Sequence, residues 1–195
     1  MKRISFKDSG GLNLTQAVLS GRKTMTRRAV PIQVYADAIE YARYESDSIR
    51  AKFEYILKRS PYKVGEIVAI QQAYKDIPAV VVSSSYDCRK LDTTAGWNNK
   101  MFVNAKYMPH HIRITDARVE RLWDILDEDC LREGIIEKLD FFVNKIPIYS
   151  YTFSGCNSWY NTPSEAFAAL IDKVSGRGTW QENPLVWAYS FELVD

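Results

Sequence analysis

The sequence predicts an α+β protein built on a partly closed, mixed β-barrel with helices packed outside it. Three observations point there. The last apolar segment, Leu185–Leu193, alternates Leu185, Trp187, Tyr189, Phe191 and Leu193 with Val186, Ala188, Ser190 and Glu192, the period of a half-buried strand. Short β-compatible runs follow one another in the middle of the chain without a regular crossover helix, which argues against a doubly wound parallel sheet. Glycines and prolines punctuate those runs. With 195 residues, 46% of them hydrophobic and 13% aromatic, the chain can bury the core of one domain.

Taken in order, residues 3–6 read as a short strand and Leu14–Leu19 as a short helix stopped by Gly21. Residues 24–30 are β-compatible and closed by Pro31. A helical insert at about 34–60 follows. Tyr35, Ala38, Ile39 and Ala42 form one stripe, and Ile49, Phe53, Ile56 and Leu57 form a second that is expected to be buried. Ser46-Asp47-Ser48 between them supplies a helix cap. Lys63-Val64-Gly65-Glu66 reads as a turn, after which residues 66–74, 79–83, 100–107 and 112–122 continue as β-type runs. Asp127 is placed as the cap of a helix over 128–133 that stops at Gly134. Thr162-Pro163-Ser164-Glu165 is a capping box with proline at the first helical position, opening a helix over 166–174. Residues 136–161 form a second insert, of which 140–161 carry no clear periodicity.

Composition narrows the classes of function. No apolar run approaches the roughly 20 residues of a membrane span, and the first residues turn polar at Lys7-Asp8 without a signal-type apolar region, so a cytoplasmic protein with no membrane partner is expected. Cys88, Cys130 and Cys156 lack the spacing of a disulfide framework or a zinc site, and the adjacent His110 and His111 cannot both face one ion from a strand. No metal or other cofactor is expected. The net charge of +2 hides an asymmetry: residues 1–60 hold 12 Lys+Arg against 6 Asp+Glu, and the remainder holds 14 against 18. A basic first third suggests a local anionic partner, and equally a solvated basic face.

The densest chemistry is Gly21-Arg22-Lys23-Thr24-Met25-Thr26-Arg27-Arg28, with four cations and two hydroxyls directly after a helix stop. Arginine forks match phosphate oxygens, lysine adds a mobile charge, and threonine hydroxyls bind the same oxygens. The same run also suits a charged edge strand that resists aggregation. Neither a phosphate loop nor a Gly-x-Ser-x-Gly elbow occurs, and two neighbouring histidines are poor material for a nucleophilic triad. Trp97, Tyr107, Trp159 and Tyr160 are candidates for base stacking, although burial is the ordinary use of such rings. Glu133, at a helix C-terminus, opposes the helix dipole, which hints at a role beyond the helix.

Gly21-Arg22-Lys23-Thr24-x-Thr26-x-Arg28 resembles the signature of the ASCH domain, a branch of the PUA-like superfamily. Further segments resemble the family in order: Tyr62-Lys63-Val64-Gly65-Glu66-Ile67-Val68, then Ile114-Thr115-Asp116-Ala117-Arg118-Val119-Glu120-Arg121-Leu122. Asp127-Glu128-Asp129-Cys130-Leu131-Arg132-Glu133-Gly134-Ile135 and Trp180-x-x-Asn183-Pro184-x-Val186-Trp187 follow, the last similar to the longer phage-type members. The resemblance implies a PUA-like barrel over residues 1–195 with a cleft for RNA or a modified nucleoside. Some compact members deacetylate N4-acetylcytidine with Lys, Thr and Glu, which match Lys23, Thr26 and Glu133. A desolvated lysine can activate a threonine hydroxyl while a carboxylate moves or orients the proton. Strict strand alternation sets Lys23 and Thr26 on opposite faces, so the trio requires an irregular start to that strand. Gln72 and Tyr74 stand where longer relatives carry an acidic residue and a tryptophan.

The reading that follows is a nucleic-acid-component binding cleft formed by Arg22, Lys23, Thr24, Thr26, Arg27, Arg28, Gln72 and Tyr74. The alternative is an amidohydrolase acting through Lys23, Thr26 and Glu133. A third class is a phage-derived interaction protein without a nucleic-acid ligand.

Overall fold

The computed structural model describes residues 1–45, 48–78 and 92–194. Its centre is a five-stranded sheet in the order β1 (Arg3–Ile4), β3 (Ile67–Ile70), β4 (His111–Arg121), β7 (Leu185–Leu193), β2 (Met25–Ala29). β1 pairs parallel with β3 and every other neighbour is antiparallel. Among the described residues the sheet is mixed but not a closed barrel, because β1 and β2 each pair with one strand and stand at its edges. Across the gap the Arg28 guanidinium donates to the carbonyl of Ser5, just past β1.

Several predicted elements form where local chemistry demands them. α1 (Leu14–Leu19) ends as Gly21 takes φ +75°. α2 (Ile32–Glu45) and α3 (Ile49–Lys58) are separate helices, and the Ser48 hydroxyl caps the second through Ala51 N–H. α5 (Pro163–Ser175) opens on the expected cap, Thr162 accepting from Glu165 N–H, while the Glu165 carboxylate accepts from Asn161 N–H, one residue before the cap, instead of closing the box at Thr162. α6 (Thr179–Glu182) packs on α5 before β7.

Other expectations are corrected. The stripe on α3 is not uniformly buried. Ile56 is enclosed against the sheet, with the Trp187 indole donating to its carbonyl, whereas Ile49 and Leu57 are exposed. Residues 100–107 form two 3-10 turns, Lys100–Phe102 and Ala105–Tyr107, because the Asn99 and Asn104 side chains cap Met101 N–H and Lys106 N–H. Tyr74 also begins a 3-10 turn rather than ending a strand. α4 (Asp127–Arg132) includes Asp127 in its first turn, with Leu126 at the cap. β7 is buried on both faces as far as Phe191, since it lies between β4 and β2 with elements packed over both sides. The second insert is a hairpin, β5 (Ile136–Val143) and β6 (Ile146–Thr152), turning at Asn144 and Lys145 with φ 48° and 68°. Two consecutive positive φ values match the twist of a tight hairpin, and a lysine in the second place disguises the signal. The expected run at 79–83, the cap residues 46–47 and Cys88 lie outside the described residues.

Candidate functional site

A cleft of about 1280 Å³ lies between the free edge β2 and the segments leaving β1 and β3. Ser5 and Phe6 contribute from beyond β1, Gln72 and Ala73 from beyond β3, and Thr26 to Ala29 from β2. The cleft therefore occupies the opening that a closed barrel would have sealed. Six cationic residues line it against three acidic ones.

Lys23 reaches this cleft because residues 22–24 are not yet strand. Its N–H donates to the Ala17 carbonyl at the end of α1, and Thr24 N–H donates to the Arg132 carbonyl at the end of α4. Those two bonds lay the segment across the C-terminus of α4, where Glu133 is the cap residue and Gly134 at φ +104° lets the chain turn away. The predicted irregular start is thus present, and it puts Lys23 beside Glu133. Lys23 Nζ donates to Glu133 Oε2 at 2.5 Å and to the Glu133 carbonyl at 2.8 Å. Both side chains are about 95% enclosed or more. Burial pushes the Lys23 ammonium below the ordinary lysine range. Glu133 opposes that shift, and Arg28 and Arg27 add to it.

Arg27 is occupied on every side. Its Nε donates to Glu120 at 2.7 Å, Nη2 to Asp129 at 3.0 Å and Nη1 to Glu133 at 3.2 Å, and its side chain has no exposure. Burial works to lower its basicity, but Glu133, Glu120 and Asp129 outweigh burial and raise it. The register explains how the charges meet. Arg27 on β2 and Arg118 on β4 both oppose Ala188 on β7, whose small side chain leaves room for two guanidinium groups. Arg118 accordingly donates to Glu120 at 2.7 Å and also to Asp129, which receives Arg132 at 3.3 Å as well. A buried charge of this kind is tolerated only when fully paired. What Arg27 presents to the cleft is therefore its backbone.

Thr26 and Arg28 lie on the opposite face of β2, opposite Tyr189 and Trp187 of β7. Thr26 is buried and lines the cleft. The Arg28 guanidinium sits 5.8 Å from the Phe6 ring centroid, over which Lys23 Nζ also lies at 6.0 Å. Arg28 Nε is buried with no partner, and so is Gln72 Oε1. Leaving such a group unpaired costs roughly 1–3 kcal/mol.

The remaining candidates lie elsewhere. Arg22 donates to the Gly134 carbonyl at 2.7 Å and Thr24 accepts a long 3.5 Å contact from Arg132, both away from the cleft lining. Tyr74 packs edge-on against Tyr107 in a second small core containing Trp97. Trp159 is half exposed under Lys138 Nζ, 5.1 Å from its ring. Sequence reasoning missed Glu120, Asp129 and Arg118, which sit in ordinary-looking charged runs, and Lys75, an exposed cation on the cleft wall. Among the described residues no group of three or more His, Cys, Asp or Glu is arranged to hold a metal ion, and no helix is long and apolar enough to cross a membrane. Compared with protein-family models, curated proteins and solved structures, the chain matches none.

Proposed function

We propose that this chain is an ASCH-type, PUA-like protein whose cleft binds a nucleobase-bearing ligand, either an RNA segment or a modified nucleoside. The observation that carries the reading is convergence. Lys23, Thr26, Arg28, Gln72 and Glu133, drawn from three separate segments, open on one cleft in which cations outnumber acids. A planar ligand finds the Phe6 ring and the Arg28 guanidinium plane on the same wall. Rim phosphates would meet Lys75 rather than Arg27, whose charge is already consumed. Titration of a short single-stranded RNA across several salt concentrations tests this. Binding should weaken with salt, and Lys75→Ala should flatten the log–log slope by about 0.7 per lost phosphate contact. Absence of any RNA or nucleoside binding would leave the interaction-protein reading in its place.

A second reading rests on the contact between Lys23 and Glu133. A buried lysine with depressed basicity, held against a carboxylate in a cleft that Thr26 also lines, is material for amide hydrolysis. In that reading the neutral Lys23 amine takes the Thr26 proton as the hydroxyl oxygen attacks the acyl carbon. The C–N bond then breaks, the proton passes to the leaving amine, and water releases the acyl group from Thr26. Glu133 holds the lysine in place between those transfers. Acetate release from N4-acetylcytidine is the assay. Thr26→Ala should abolish it while leaving stability in urea within about 1 kcal/mol of the wild type, since the truncation is small.

A further inference from the structure

Two of the three buried side-chain atoms that lack a partner among the described residues, Arg28 Nε and Gln72 Oε1, line the same cleft. One is a donor and the other an acceptor. Neither is a loose surface group: Gln72 is 8% exposed, directly beyond β3, and Gln71 N–H anchors that segment to the Ile4 carbonyl at 2.8 Å. Arg28 is oriented by the Ser5 carbonyl and the Phe6 ring, which leaves its Nε–H without a task. A protein normally pairs such atoms or replaces them with apolar ones. The adjacent wall shows that this chain does so, because there each of Glu133, Asp129 and Glu120 has at least two cationic partners.

We propose that Gln72 and Arg28 are specificity-determining residues that read the hydrogen-bonding edge of a neutral, planar base. The inference rests on the nucleobase reading given above. A primary amide offers one acceptor and a two-hydrogen donor side by side, the complement of a base edge carrying both a donor and an acceptor. A carboxylate at this place would only accept, and it would add a further negative charge to the cleft that Glu133 also lines. The neutral amide instead suits a base that is itself uncharged. The Arg28 Nε–H supplies a further donor for a ring nitrogen or carbonyl oxygen. Groups left unpaired in the free protein reject any ligand lacking the matching edge, because such a ligand would seal them in unpaired.

Calorimetric titration with cytidine, N4-acetylcytidine, uridine and adenosine, using ribose 5-phosphate as the control without a base, tests the proposal. The wild type should bind at least one nucleoside more tightly than ribose 5-phosphate and separate the bases. Gln72→Leu should lower affinity for the preferred base at least about tenfold and bring the bases close together. Arg28→Lys, which keeps the charge but removes Nε, should lower affinity for the preferred base without changing the salt slope. In the free protein Gln72→Leu should also raise Tm by about 2–4 °C, because it removes a polar group with no partner. Unchanged discrimination in Gln72→Leu would overturn the edge-reading role while leaving the cleft as a nucleoside site. A clear fall in Tm would overturn it too, by making Gln72 structural. Failure of the wild type to prefer any nucleoside over ribose 5-phosphate would overturn the nucleobase reading itself, and this inference with it.

Discussion

Arg27 and Arg28 are chain neighbours of one residue type, and the two faces of β2 place them in opposite circumstances. Arg27 points under α4, where Glu120, Asp129 and Glu133 take all of its charge. Arg28 points to the other face, where one carbonyl and one ring orient it and its Nε stays unpaired beside the cleft. The wall with saturated hydrogen bonding is a device for holding Glu133 against Lys23. The unsaturated wall is where a ligand can still gain something. A dense basic motif is therefore two things at once: half of it is internal scaffolding, and only the other half is available to a partner.

The largest expected effect comes from breaking the saturated wall. Arg27→Met keeps the volume but leaves three carboxylates facing one another, and should lower stability in urea by about 3–5 kcal/mol. A loss under about 1 kcal/mol would mean that Arg118 and Arg132 hold the network without it. Arg28→Ala, by contrast, should change stability by only about 1 kcal/mol, since it gives up one hydrogen bond to a carbonyl. Its effect should fall on ligand affinity instead. If the two variants unfolded at the same urea concentration, the division between the two faces would be wrong.

A pH series sharpens the same comparison at Lys23. Its folded-state pKa lies below the ordinary lysine value of 10.5, with burial as the leading cause. Between that depressed value and about 10.5 the unfolded chain binds the extra proton, so stability rises with pH through the window. Wild type measured against Lys23→Met should therefore gain as pH climbs towards 10.5 and stay level above it. A gap that is flat with pH would show that burial does not disfavour the Lys23 charge. The smallest effect is expected far from both walls. Arg50 forms an exposed pair with Glu54 on α3, and Arg50→Ala should leave stability and the salt slope for RNA unchanged within error. A slope as flattened as that of Lys75→Ala would point to a diffuse basic face rather than a cleft.

The features legible in the sequence were those decided within a few residues. The helix cap at Thr162, the stop at Gly21, the turn at Gly65 and the alternation of β7 each depend on neighbours in the chain. The same locality misled at residues 100–107, where apolar residues suggested a strand and two asparagine caps made turns instead. It also failed at β5–β6, where Asn144-Lys145 lacks the glycine that usually marks so tight a hairpin.

By itself the sequence determined the mixed α+β class, the separate helices of the first insert and the placement of a charged segment directly after α1. Local hydrogen bonding and side-chain periodicity are written in contiguous residues, so they survive without knowledge of the fold. Only the tertiary structure decided which charges meet. Lys23 and Glu133 are 110 positions apart and meet because Thr24 N–H bonds the Arg132 carbonyl, while Arg27 and Glu120, 93 apart, meet because β2 and β4 flank β7 at Ala188. The open edge that makes the cleft was likewise a matter of strand order: the charged run of β2 suited an edge strand, but the residues of β1 do not state that it too stands at an edge among the described residues. Burial, which turns an ordinary lysine into one of depressed basicity, is a property of everything packed around it.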